Sequence, residues 1–313
     1  MKFLKVTYIS VLVLLINACS TDFEINAPRD ETPVVYGLIN AFIDPDPETN
    51  FDLPDTQFVK ITHTFLGEGN ILDYAQIRDS SEYNQKLKAY FIRTATLDTL
   101  LLDTITIFNK KEGQFYGGKS TVYFTKEAIE PLESYELVVE APNKTVRAKT
   151  NTVGEILIEK PRYGGKINLV NGSLAPWTYR ELEVDYTTSE NVKYVEVSLI
   201  LSYTEYYQDN TNELKQFEYF VGSREAETDA GRENVSFKWN TENFFRKLSE
   251  IETPENVVKR IPFVGTDIKD QAFEYKFTIA GNEINTYIDL QNPSTGIVQE
   301  KPIYSNVANG LGI

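Results

Sequence analysis

The sequence predicts a mostly β protein: an immunoglobulin- or fibronectin-like β-sandwich followed by a second β-rich domain that carries one helix. Three observations predict it. From Val34 onward, β-branched and aromatic residues alternate with polar ones, with few long helical stripes. Turn signals such as Lys111-Glu112-Gly113 and Ala141-Pro142-Asn143-Lys144 separate these runs at the short spacing of a sandwich. The chain is also long: removing the first 18 of its 313 residues leaves 295, more than one average domain. The expected divisions are 1–18, a leader; 19–32, a tether; 33–151, the sandwich; and 152–313, the second β-rich domain.

The leader comes first. Lys2 and Lys5 form a short basic start, and Val6 to Ile16 is an almost unbroken apolar run of 11 residues. That is a secretory h-region, well short of the ~20 residues a spanning helix needs. The run ends in Ile16-Asn17-Ala18-Cys19, a small residue before a cysteine, which is what a lipoprotein signal peptidase requires. Cys19 is therefore the expected lipidation site and first mature residue. Each buried methylene of its acyl chains adds ~0.8 kcal/mol, and two chains already anchor stably. Cys19 is the only cysteine, so its use here leaves no thiol for a disulfide, a thiolate metal site or a nucleophile. Ser20 to Thr32 is polar and acidic and reads as the tether. Its acidic residues share a feature of surface-export signals in the Bacteroidota, so the expected location is the outer membrane, at the cell surface, with the periplasmic leaflet as the alternative.

Strands follow. In Val59-Lys60-Ile61-Thr62-His63-Thr64-Phe65, the residues Val59, Ile61, His63 and Phe65 share one face and Lys60, Thr62 and Thr64 the other. Further strands are expected at 87–93, 98–108, 114–124 and 135–140. The last of these pairs with 146–150 across a turn and closes the first domain near Asn151. In the second region the clearest strands are 182–187, 192–206, 218–220 and 272–280, with another at 283–289. One helix near 241–252 interrupts them: Thr241 is the expected N-cap, Phe244, Phe245, Leu248 and Ile251 fall at helical spacing, and Pro254 marks the end.

Three segments carry a resemblance: Val35-Tyr36-Gly37-Leu38-Ile39 after the tether, the hairpin from Tyr135-Glu136-Leu137 to Ala148-Lys149-Thr150, and the terminal Tyr304-Ser305-Asn306-Val307-Ala308-Asn309-Gly310-Leu311-Gly312-Ile313. In these the chain resembles the Bacteroidota outer-membrane lipoproteins of unknown function whose genes often neighbour TonB-dependent receptors. Members of that set usually continue beyond the Gly-Leu-Gly-Ile element, so a shortened last strand is expected. The resemblance implies a lipoprotein working beside a receptor or another envelope complex, and it brings no catalytic residues.

The formal charge of −15 becomes −17 once Lys2 and Lys5 are removed, which repels nucleic acid and anionic head groups. Acidic residues are spread along the chain and read as a solvated surface. His63 is the only histidine and lies on an apolar strand face. A multi-histidine metal site is therefore excluded, and a Ser-His-Asp triad lacks the usual Gly-x-Ser-x-Gly turn. Asp44, Asp46, Glu48, Asn50 and Asp52 place oxygen ligands at alternate positions, a possible Ca2+ loop. It departs from an EF-hand at Thr49, which replaces the turn glycine, and at Asp55, which replaces the twelfth-position Glu; a solvated loop is the alternative. With 46 acidic residues the sequence neither names nor excludes a glycosidase carboxylate pair. Trp177, Tyr179, Tyr203, Tyr206, Tyr207, Phe220 and Trp239 are either sugar-stacking rings or core and cross-strand pairs.

The expected function is thus a non-catalytic accessory or scaffold lipoprotein, without cofactor, held by its acyl anchor and contacting a receptor or envelope complex through loops 44–55, 67–81 and 208–213. A surface glycan-binding or glycan-hydrolysing lipoprotein is the alternative.

Overall fold

A computed structural model describes residues 31–41, 56–65, 71–108, 113, 116–162, 164, 166–172, 177–228, 230–263, 272–291 and 304–313. The protein is mostly β, in antiparallel sheets with short helices. The first unit contains β1 (Pro33–Leu38), β2 (Gln57–His63), a short helix α1 (Ile71–Ala75), a 3-10 turn (Arg78–Ser80), β3 (Lys88–Arg93), β4 (Thr99–Leu101), β5 (Asp103–Ile107), β6 (Ser120–Thr125), β7 (Ser134–Glu140) and β8 (Thr145–Asn151). One sheet contains β1-β2-β6-β5 and the other β8-β7-β3-β4. Val35, Val59, Ile61 and Tyr123 of the first sheet meet Phe91, Leu137, Val139 and Val146 of the second in one core, as alternation requires of two facing sheets. Tyr135, at the start of β7 and 1% exposed, accepts a hydrogen bond on its hydroxyl from the Glu130 N–H (2.9 Å). A buried tyrosine tied back to the chain a few residues upstream is a corner found in immunoglobulin-like sandwiches.

The run expected as one strand at 98–108 is two. Leu102 is buried between β4 and β5, which belong to opposite sheets, so the chain crosses the core there. Segment 67–81, expected as an open connection, contains α1 and the 3-10 turn in its described part.

The second unit contains β9 (Leu157–Lys160), β10 (Val170–Asn171), β11 (Thr178–Tyr179), β12 (Glu181–Thr187), β13 (Tyr194–Tyr207), β14 (Asn212–Glu225), β15 (Asn234–Asn240), α2 (Thr241–Ser249), β16 (Val257–Pro262), β17 (Phe273–Ala280) and α3 (Asn282–Gln291). A three-stranded sheet, β15-β12-β9, packs against a sheet centred on β13, whose one edge carries β14 and whose other carries β17 and β16 end to end. Val195, Val197, Leu199 and Leu201 of β13 share the core with Val184, Tyr186, Phe237 and Trp239. Phe244 of α2, fully buried, packs against Phe217, Tyr219, Phe245 and Phe273.

Three expectations change here. The N-cap of α2 is Asn240, whose Oδ1 accepts from the Glu242 N–H (2.8 Å). Thr241 is instead buried, donating to the Leu169 carbonyl (2.7 Å) and accepting from the Arg180 N–H (2.9 Å). Residues 283–289, expected as a strand, lie in α3. The connection at 208–213 is a tight hairpin turn: Asp209 Oδ1 accepts from Thr211 N–H (2.9 Å), and β14 already begins at Asn212.

The terminal segment leaves the second unit. β18 (Val307–Ala308) pairs with β8 in one sheet of the first sandwich, and β19 (Leu311–Gly312) runs parallel to β1 in the other. The sandwich expected at 33–151 is therefore completed by residues 307–312, and 152–313 is not a continuous domain. Asn309, at φ 61°, turns the chain between the two sheets while its Nδ2 donates to the Thr145 carbonyl (3.1 Å). Gly312, at φ 120°, lies so close to β1 that a Cβ would fall 1.7 Å from Val35 O. That approach lets Ile313 N–H bond Val35 O (3.0 Å) and Gly37 N–H bond Ile313 O (2.9 Å).

Candidate functional site

The solvent face of the β1-β2-β6-β5 sheet departs most from an ordinary surface. Register aligns Leu38, Phe58, Phe124 and Asp103 in one row; beyond it, Tyr36 pairs with Lys60 and Val34 with Thr62 between β1 and β2, and Val122 pairs with Ile105 and Ser120 with Ile107 between β6 and β5. Leu38 is 62% exposed, Tyr36 52%, Phe58 50% and Ile105 47%, and the Phe58 and Phe124 rings lie 6.4 Å apart. A contiguous apolar and aromatic patch on a solvated sheet face is the usual mark of a contact surface. Tyr36 and Leu38 stand on the first strand after the tether.

A polar knot bounds the patch. Glu82, in the segment entering β3, reaches across the sheet: its Oε1 accepts from Lys60 Nζ (2.6 Å) and Ser120 Oγ (2.8 Å), and its Oε2 from the Thr121 N–H (3.1 Å). Lys60 Nζ also donates to Ser120 Oγ (2.5 Å) and the Thr121 carbonyl (2.9 Å). Burial opposes the Glu82 charge, but these donors outweigh it and hold the carboxyl below its ordinary 4.5. Lys60 and Ser120 are thereby tied to Glu82 and to each other. The knot ties the segment at Glu82 to β2 and β6.

His63 is buried at the far end of β2. Its Nδ1–H donates to the Thr64 carbonyl (2.9 Å), and its ring meets Tyr83 edge-on at 4.9 Å. Burial pushes the Tyr83 hydroxyl up to about 12. Ser80 is buried in the 3-10 turn, and the carbonyl of the next residue, Ser81, accepts from the His63 N–H (2.9 Å). Cys19 and the possible Ca2+ ligands Asp44, Asp46, Glu48, Asn50 and Asp52 lie outside the described residues, as does Asp55. Among the described residues no three His, Cys, Asp or Glu side chains cluster as metal ligands, and no helix is long and apolar enough to cross a membrane.

In the second unit, Lys160 Nζ bridges Glu183 (2.6 Å) and Asp185 (2.7 Å) on the open face of β12. The lysine contact pulls both carboxyls down and the lysine up. Among the described residues, hydrogen-bonding partners also hold Glu82, Asp103, Asp209, Glu213, Glu233 and Glu250 below the ordinary carboxylate range. Glu205 is buried beneath the end of α2, where Arg260 Nε donates to it (2.8 Å) and the guanidinium also reaches the Glu252 carbonyl (2.8 Å).

Of the aromatic residues singled out in the sequence, Tyr203 and Trp239 are core, and Tyr206 lies beneath Lys259 Nζ (4.5 Å). Tyr207 bonds Glu205 (3.1 Å) and Glu213 (3.0 Å). Trp177, Tyr179 and Phe220 remain exposed. Sequence reading missed the patch. Its one legible sign was Phe58, which by alternation falls on the polar face of β2 with Lys60 and Thr62. No family model matches the chain, and neither does any curated protein.

Proposed function

We propose that the chain is a non-catalytic, lipid-anchored accessory or scaffold protein of the outer membrane, docking through the Tyr36–Leu38–Phe58–Phe124–Ile105 face onto a TonB-dependent receptor or another envelope complex. The carrying observation is that four of these five large apolar side chains stand about half exposed or more on one sheet face. The leader ending at Ala18-Cys19, and the resemblance in the three segments named above, support the location. The 14 residues from Cys19 to Pro33 reach about 50 Å at full extension, so the patch would stay near the membrane that holds the partner.

The test is co-purification from gently solubilised membranes with Leu38→Glu and Phe58→Glu variants of the tagged chain. The expected result is a stoichiometric envelope protein recovered with the wild type and lost from both variants. Equal recovery with all three would refute docking through this face.

A second reading, glycan binding, draws support from Trp177 and Tyr179, which are 54% and 46% exposed two residues apart. A glycan array with wild type and Trp177→Ala decides it: sugar binding lost in the variant would favour it, and a blank array would remove it.

A further inference from the structure

We propose that β14 is a self-association edge: two copies of the chain pair antiparallel along β14, joining their β13-centred sheets into one. β14 is a 14-residue strand at the outside of its sheet. Among the described residues no strand pairs with its outer side, and an edge of that length is a template for adding another strand.

The direction of its backbone groups follows from its neighbours. Ser202 uses its N–H for the Ala272 carbonyl (2.8 Å) and its carbonyl for the Phe263 N–H (2.8 Å), both on the side away from β14. Tyr207 N–H, in contrast, bonds Thr211 O (3.0 Å) across the hairpin. Even-numbered residues of β13 therefore face β16 and β17, and odd-numbered ones face β14. The β14 partners of the even-numbered residues, Asn212, Leu214, Gln216, Glu218 and Phe220, must then turn N–H and C=O to the outer edge. The same five residues put their side chains on the solvent face, where Leu214 is 54% and Phe220 55% exposed.

The partner is a second copy because the edge is self-complementary. A two-fold axis at Phe217 sets Leu214 opposite the other copy's Phe220 and Gln216 opposite its Glu218. Both exposed apolar side chains of the strand are then covered at once. Moving the axis one residue later sets Glu218 against Glu218, and one residue earlier sets Leu214 against Glu218; both are poorer pairs. The favoured register forms about eight N–H···O bonds between backbones.

The test is oxidative cross-linking of the full chain in its membrane. Gln216→Cys and Glu218→Cys variants are expressed separately and together, with the wild type, whose sole cysteine is Cys19, as background. In the favoured register the unlike pair has Cα atoms about 5.5 Å apart, within disulfide reach, whereas like pairs are about 8–9 Å apart, beyond it. The expected result is a dimer band several-fold stronger from co-expressed 216 and 218 than from either alone. Gln216→Pro removes an edge-facing N–H that the fold itself does not use, and Phe220→Lys puts a charge on the contact; each, placed in the Glu218→Cys and Gln216→Cys partner respectively, is expected to remove that band. Equal bands from like and unlike pairs, no band, a band unchanged in both blocking variants, or cross-linking to a different protein would each overturn self-association through β14.

Discussion

Substituting Gly312 by Ala tests whether the terminal segment is a working part of the first sandwich. At φ 120° an alanine is strained, by about 1–3 kcal/mol. Its Cβ would lie 1.7 Å from Val35 O, so β19 must move away from β1. That movement gives up the Ile313 N–H to Val35 O and Gly37 N–H to Ile313 O bonds, at about 0.5–1.5 kcal/mol each. The total is about 2–6 kcal/mol, drawn from the first unit alone. The assay exploits the tryptophans. Trp177 and Trp239 both belong to the second unit, so tryptophan fluorescence in urea follows that unit, while near-ultraviolet tyrosine dichroism also registers the first, where Tyr123 and Tyr135 are buried. Gly312→Ala should lower the dichroism midpoint and leave the fluorescence midpoint within about 1 kcal/mol of wild type. Leu311→Ala, which trims a side chain already 42% exposed, should move neither appreciably. An unchanged dichroism midpoint in Gly312→Ala, or equal shifts of both signals, would refute the reasoning.

Glu82→Gln should cost about 2–3 kcal/mol at neutral pH, because it leaves Lys60 partly buried without its counter-charge. The folded pKa of Glu82 lies below its ordinary 4.5, so the pair's contribution is complete above that pH and is lost as pH falls through the lower folded value. Urea midpoints of variant and wild type, measured as a function of pH, should converge on acidification; a constant gap would contradict this. Phe244→Ala removes a fully buried ring that touches four other aromatic rings and should cost about 3–5 kcal/mol, read by fluorescence rather than by the first unit's tyrosine signal. Asn240→Ala removes the cap of α2 and should cost about 1 kcal/mol in the same fluorescence assay. A loss below measurement error would place the cap's worth elsewhere.

Local pattern carried a large part of the fold. Alternation named β2, β3, β7, β8, β12, β13 and β17 to within a few residues, because each buries one face and its period of two survives in the sequence. Phe244, Leu248 and the turn signals around them were enough for α2. Other elements had the signal and were not read: Val235, Phe237 and Trp239 alternate through β15 as clearly as any strand named. The strand expected at 283–289 is helical because Ile284, Tyr287 and Ile288 also fit a helical period, and a short apolar run does not distinguish the two. Asn240 and Thr241 are both good caps by residue type. Only the position of the Leu169 carbonyl decided that Thr241 would be buried and Asn240 would cap.

The sequence alone determined that this is a β protein of two cores with one amphipathic helix near 241, since those properties depend on residues close in the chain. It also gave the terminal Gly-Leu-Gly-Ile element, without a reason for it. Tertiary structure decided where that element goes: some 160 residues separate Val307 from its partner Ala148, and no local period encodes a pairing at that distance. The exposed apolar face of the first sandwich has the same origin. Leu38, Phe58, Phe124 and Ile105 come from four strands and become one surface only once the register between those strands is fixed. Glu82 joins Lys60 and Ser120 for the same physical reason: contacts across a sheet are set by pairing, and pairing is a property of the whole fold.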